Sequence, residues 1–325
     1  MSWRIGLDEA GYGPNLGPLV LASTACHVPD SAPESLWKLL ESCVRKREDA
    51  DSGRLLIDDS KKVNEGRHGF RKLETGVHAV LASRLSETNP LGSPESLHTF
   101  LSSAALGSSI EDLHREPWFD ADFSLPVVAE LAKITEIASL LADATRVAEL
   151  VWGPICLVII PTPKYNRLLD VWTVKSGVLA TGVIALLSAV LDLPGDDPVD
   201  IAVDKLGGRH FYAPLINEAF PDGWTRVVRE GPDLCEYIVY GLRREVRLRF
   251  EPRADGAHLN VALASMAAKY LREVCMLQFN RYWQSKVPGL KATAGYPVDA
   301  ARYFRDIQAA MAADGVAQRD VWRAK

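Results

Sequence analysis

Nowhere in the 325 residues do the roughly 18 uncharged apolar positions of a membrane-spanning helix occur together. The opening "MSWRIGLDEAG" lacks the basic region and apolar stretch of a secretion signal, so a cytoplasmic location and no membrane partner are expected. Cysteine is scarce. The five residues (Cys26, Cys43, Cys156, Cys235, Cys275) are scattered, odd in number and never in a C-x-x-C pair, which excludes a disulfide framework and a zinc ribbon and leaves core thiols. Positive charge is not in excess either. With 37 Lys and Arg against 42 Asp and Glu, the net charge of −5 argues against bulk electrostatic binding of nucleic acid, while leaving room for local patches. Lys61, Lys62, Lys205, Arg209, His210, Lys269 and Arg272 are candidates, since each lies within a few residues of an acid discussed below. There is no internal repeat or long low-complexity tract.

What is present is a chain that is 47% hydrophobic, enough for a large core. Residues 3–8 and 18–28 read as two strands joined by a tight Gly/Pro loop, and 154–162, "PICLVIIPT", as a buried strand. Asp59 or Ser60 caps a helix start, and a further helix is expected after Gly66. A long helical pattern covers about 165–191. Residues 197–208 hold a short strand, 224–252 alternate like two or three strands, and 258–285 form a periodic helix. Residues 85–150 break the rhythm with a Ser/Pro/Gly-rich loop followed by a helical pattern. We read 1–84 and 151–325 as one α/β domain and 85–150 as a mainly helical insertion.

Several acids stand where acids are costly. Asp8 and Glu9 end an apolar strand side by side, and Asp204 ends another. Glu273 falls in the stripe formed by Leu259, Ala262, Met266, Tyr270 and Leu277 on the long helix. An Asp opening a Gly-rich turn or a Glu in an ion pair would account for Asp204 or Glu273 singly. Strand carboxyl ends are where crevices form in mixed α/β sheets, so the acids can converge there. Gathered carboxylates repel unless a cation joins them, and oxygen-only ligands suit Mg²⁺ or Mn²⁺ better than Zn²⁺. His210 and His258 are expected at the surface.

In order, "GLDEAGYGPNLGPLVLA", "IDDSKKV", the strand ending in Asp204, "ASMAAKYLRE" and "GYPVDAARYF" resemble the motifs of the type 2 ribonuclease H family, with its branches HII and HIII. The resemblance spans nearly the whole chain apart from the insertion and residues 224–252. It implies an RNase H-like fold, a five-stranded mixed sheet flanked by helices. It also implies an acidic site of Asp8, Glu9, Asp204 and Glu273 holding two Mg²⁺ or Mn²⁺ ions. Gly11, Tyr12 and Gly13 match the loop that contacts ribose and phosphate. Ser60, Lys61 and Lys62 match the phosphate-side segment, and Tyr296 matches the tyrosine that packs on the sugar. The chain departs from HII in having Tyr12 where that branch has Arg, and Glu273 where it has Asp; a Glu there is more like HIII.

The activity so implied is hydrolysis of the RNA strand of RNA–DNA hybrids, or of ribonucleotides embedded in duplex DNA, with Asp8 bridging two metals. A non-catalytic nucleic-acid-binding protein with the same fold is the alternative. A sugar- or acetate-kinase-like phosphotransferase would need two duplicated halves, which the sequence lacks.

Overall fold

The computed structural model describes residues 1–49, 53–85 and 93–324. Its strands are β1 (Ser2–Ala10), β2 (Leu19–Val28), β3 (Val44–Arg45), β4 (Leu55–Leu56), β5 (Val151–Ile160), β6 (Val199–Asp204), β7 (Trp224–Arg229), β8 (Cys235–Tyr240) and β9 (Val246–Glu251). β3 and β4 form a small parallel pair, and the other seven form one sheet in the order β5-β2-β1-β6-β9-β8-β7. β1 runs antiparallel to β2 and parallel to β6, which in turn is parallel to β9. The helix-flanked mixed sheet expected from the sequence is present, but it has seven strands where five were expected. The reason lies in residues 224–240, which fold as the hairpin β7–β8 and extend the sheet past β9. Cys235, Tyr237 and Val239 alternate inward on β8, so the hairpin is fixed by the core it covers.

Strand alternation divides the interior in two. Ile5 and Leu7 of β1, Ile201 and Val203 of β6 and Leu248 of β9 face the layer built from helices Thr162–Trp172, Lys175–Ser188 and Ala213–Ala219. The sequence reads 165–191 as one helix, but Thr173 adopts a left-handed conformation (φ 59°) that splits it. Its second part corrects the expectation about apolar runs. Lys175–Asp192 is 18 residues long with a mean hydropathy of 1.5, apolar enough to cross a membrane by length and composition. Here Val178, Val183 and Leu187 are fully covered by the sheet, so it is a core helix.

On the opposite face, the 28-residue helix Leu259–Lys286 lies against β1 and β2. A Cβ on Gly6 would stand 2.1 Å from the Val261 nitrogen, so only glycine lets the helix lie this close to β1. The contact sets the helix axis and carries Ser265, Lys269 and Glu273, spaced four apart on one face, past the end of the strand. The helix is buried nearly all round, which makes a single apolar stripe too narrow a description, and Leu277 is 40% exposed.

Helices Leu97–Ala104, Ser109–Leu113 and Leu131–Val147 occupy the segment expected to be an insertion; its residues 86–92 lie outside the described residues. Phe100, Ile137 and Leu141 share a core with Val77 and Leu263. Glu74, fully buried, fastens this segment. Its carboxylate accepts the N–H groups of Val127, Val128 and Ala129 at 2.6, 2.7 and 2.7 Å and the Tyr270 hydroxyl at 3.1 Å.

Candidate metal centre

Leu7 pairs with Val203 across the parallel β1–β6 ladder, so Asp8 and Asp204 are the next residues on neighbouring strands, about 4.8 Å apart in backbone. Asp204 is in turn paired with Glu251 of β9. Three acids therefore stand abreast where the parallel strands end. Asp8 accepts the Glu9 N–H at 2.7 Å and is hydrogen-bonded by Ser265, whose hydroxyl lies 2.9 Å from that of Ser60. Asp204 accepts the Ala254 N–H at 3.0 Å. Glu251 is hydrogen-bonded to His258, which is partly exposed.

Burial first, and then the charges of Glu9 and Asp204, push the Asp8 carboxyl well above the ordinary carboxylate range. Burial and Asp204 carry Glu9 up to about 7, against the pull of Lys61. Burial raises Asp204 too, although the N–H groups of Ala254, Arg253 and Lys205 oppose it. Asp255, which sequence reasoning missed, joins the group: burial, Asp59 and Asp204 raise it to about 6. Such shifts mark a pocket of negative charge with too little positive charge inside it.

The sequence-predicted residues separate into those that meet here and those that do not. Asp8, Glu9 and Asp204 act on one another directly, and Lys61 faces Glu9, Asp204 and Asp255 from the helix start capped by Asp59. Ser60 is buried against Ser265. Lys62 instead pairs with Asp58 at 3.3 Å. Glu273 lies two turns beyond Ser265, about 12 Å along the axis. It is 2.5 Å from the Lys269 ammonium and 3.9 Å from Arg272.

The glycine loop follows β1 directly. Gly11 has φ +93°, and a Cβ there would lie 2.6 Å from both the Pro18 carbonyl oxygen and the Arg272 Nε. Gly13 is exposed, with nothing within 4 Å of its Cβ direction. Tyr12 lies between them, near Glu9 and Arg209, and burial raises its hydroxyl pKa. Tyr296 is 52% exposed and stands beside the loop, because the Asn15 and Leu16 N–H groups donate to the Gly295 carbonyl at 2.8 and 3.3 Å.

Beneath the loop are two buried arginines without a carboxylate hydrogen bond. Arg272 donates to the carbonyls of Leu16 (3.2 Å) and Ala294 (3.0 Å). Arg323 donates to Gly11 (2.5 Å), to Pro14 (3.4 Å) and to Gly17, and stacks over Tyr165. Burial and the Arg272 charge lower Arg323 to about 9. No sequence signal identified Arg323.

Among the described residues, no group of three or more His, Cys, Asp or Glu side chains is already arranged to hold an ion. The donor chemistry nevertheless fits a hard divalent cation. Asp8, Glu9 and Asp204 offer only carboxylate oxygens, Lys61 offsets their charge only in part, and His258 is engaged with Glu251.

No protein-family model and no curated protein matches the sequence. Among solved structures, those to which the chain is similar include several ribonucleases H. One is the ribonuclease H2 from Pyrococcus horikoshii OT3, at 15% identity over 98% of this chain and 92% of that one, with TM-score 0.44. The RNase HII of Archaeoglobus fulgidus, solved in a complex with PCNA, is 15% identical over 99% and 94%, with TM-score 0.43. Bst-RNase HIII in complex with Mn²⁺ is 16% identical over 99% of this chain but 66% of its own, with TM-score 0.42.

Proposed function

We propose that this protein is a metal-dependent endoribonuclease that hydrolyses the RNA strand of RNA–DNA hybrids or ribonucleotides embedded in duplex DNA. The observation that supports this most directly is the crowded trio Asp8, Glu9 and Asp204, offset only in part by Lys61, at the ends of two parallel strands beside an open glycine loop. The order of motifs around those residues supports the substrate class.

In this reading Asp8, Glu9 and Asp204 would hold the Mg²⁺ or Mn²⁺ ions, and Glu273, paired with Lys269 further along the helix, would reach them only if the helix and that ion pair rearranged. Bound divalent ions supply the activated water and the stabilisation of the departing 3′-oxygen. The chain's own residues do the rest. The exposed Gly13 backbone admits a phosphate closely, and Lys61 places a cation on the phosphate side of the acids. Tyr12 and Tyr296 flank the loop and offer rings and hydroxyls to a ribose, whose 2′-hydroxyl distinguishes RNA from DNA. Ser265 and Ser60 hold the Asp8 carboxylate in place.

The test uses labelled duplexes carrying one ribonucleotide or a continuous RNA strand, with Mg²⁺ and with Mn²⁺. The wild-type protein is expected to cleave at least one of them, and Asp8→Asn to lose cleavage by about 10²-fold or more while still binding. A folded wild-type sample that cleaves neither duplex with either metal refutes the proposal.

A further inference from the structure

The sheet carries an uncovered face that the acidic site does not account for. In register with Asp204 and Glu251, the residues of β9, β8 and β7 on the helix side of the sheet include Arg249, Arg247, Tyr240, Arg226, Trp224 and Arg229. The long helix covers β1 and β2 but leaves these three strands open: Arg226, Arg229, Arg247 and Arg249 are exposed, and Trp224 is 60% exposed. Trp224 and Tyr240 are stacked, with ring centroids 4.6 Å apart, at the far end of the face. An antiparallel sheet face turned to water ordinarily carries mixed polar residues. Here residues 224–253 contain seven arginines, five acids and no lysine, in a chain whose net charge is −5.

Two of the seven are committed elsewhere, since Arg243 and Arg244 donate to carbonyls of residues 191–195. Arg249 is shared by Glu236 at 3.3 Å and Glu34 at 3.6 Å, and Arg247 pairs with Glu245 at 2.7 Å. Arg226 and Arg229, on the edge strand, show no carboxylate partner among the described residues. The seventh, Arg253, is exposed beside the acids in the turn after β9, so Arg226 and Arg229 form the basic pair set apart from them. An open cleft of about 460 Å³, lined by Arg4, Glu34, Asp200, Arg247, Arg249 and His258, lies beside the β9 arginines on this face. Arg249 and Arg247 lie roughly 7 and 13 Å down the strand from the acid row, and β7 is three strands, roughly 14 Å, across from Asp204. That span is on the scale of a duplex groove, about 12 Å across in B-DNA.

We infer that the β7–β9 face is a second nucleic-acid contact, which binds the phosphate backbone of the duplex arm away from the scissile bond. The inference rests on the proposed activity for the identity of the duplex. Arginine suits the role, because its planar fork pairs with phosphate oxygens and stacks on aromatic rings. The hairpin that supplies Arg226 and Arg229 is the part of the sheet beyond the five strands expected from the sequence.

The test is the salt dependence of binding of a labelled RNA–DNA hybrid, read by fluorescence anisotropy without cleavage, for wild type and for Arg226→Gln/Arg229→Gln. The slope of log affinity against log salt is expected to fall by roughly 1.8, about 0.9 for each phosphate that an arginine no longer neutralises. KM is expected to rise roughly 10-fold at low salt, with the gap narrowing as salt increases. Arg226→Lys/Arg229→Lys is expected to restore most of the slope. An unchanged slope in a variant that melts like wild type overturns the inference, as does failure of the wild type to bind the hybrid at all, and either result leaves the face to a protein partner. A lowered slope in a protein that cleaves nothing keeps this inference and removes the proposed activity.

Discussion

The two glycines of the loop after β1 predict opposite behaviour for the same substitution. In Gly11→Ala the new methyl must adopt φ +93°, which costs an L-residue about 1 to 2 kcal/mol. It also meets the Pro18 carbonyl oxygen at 2.6 Å. Backbone cannot step aside as a side chain can, so overpacking adds about 1 to 3 kcal/mol. The Arg272 Nε, also at 2.6 Å, is buried and bonded at its other end, which leaves no easy relief. Gly11→Ala is therefore expected to destabilise by about 2 to 5 kcal/mol, seen as a lower Tm and urea midpoint. Gly13→Ala has nothing within 4 Å and no positive φ, so its stability is expected to stay within about 0.5 kcal/mol of wild type. Its methyl instead occupies the space where a phosphate would approach, and kcat/KM on the cleaved duplex is expected to fall about 10-fold or more, equivalent to about 1.4 kcal/mol. A Gly11→Ala protein that melts like wild type, or a Gly13→Ala protein that is destabilised, refutes this account of the loop. A stable Gly13→Ala protein with full activity removes the loop from the substrate path.

Two further outcomes follow from the buried acids. Because Glu9 is raised from 4.5 to about 7 in the folded protein, the folded state binds more protons than the unfolded one between those pH values. Its contribution is therefore most favourable below pH 4.5 and is lost as the pH rises to 7. Melts in EDTA should show a stability loss across that window that Glu9→Gln reduces, while Mn²⁺ should raise Tm at about pH 8 and have little effect at about pH 5; a metal effect that grows on acidification would contradict the assignment of these carboxylates as ligands. Glu74→Gln keeps the shape but replaces a carboxylate that serves three backbone N–H groups with an amide that has one acceptor oxygen, and is expected to cost about 3 to 5 kcal/mol in urea unfolding. A loss under about 1 kcal/mol would show that residues 127–129 are not held through this carboxylate.

The parts of the site that sequence made legible are those with a local cause. Asp8 and Asp204 each break an apolar alternation at its last residue, and the glycines follow at once, so strand end and loop can be read from a few neighbouring positions. Lys61 and Lys62 look equivalent on paper, but in the fold Asp58 takes up the Lys62 ammonium while Lys61 acts on Glu9 and Asp204. Asp255 and Glu251 were missed because their proximity to Asp204 comes from the β6–β9 register and the turn after it, both non-local. The seven-strand sheet was within reach, since residues 224–252 alternate visibly, but which edge a hairpin joins depends on pairing partners and not on alternation. The break at Thr173 has no glycine or proline to announce it. Leu277 shows the limit of periodicity: a helix buried on almost every side has no single stripe to read.

Arg323 reaches the carbonyl of Gly11 across 312 residues of chain. At translation rates of about 5 to 20 residues per second, β1 and its loop leave the ribosome roughly 15 to 60 s before the guanidinium that holds them. Through that interval the nascent protein has its acid-bearing strand but no anchor for the loop beside it, so the site is completed late, when synthesis reaches the residue that locks it.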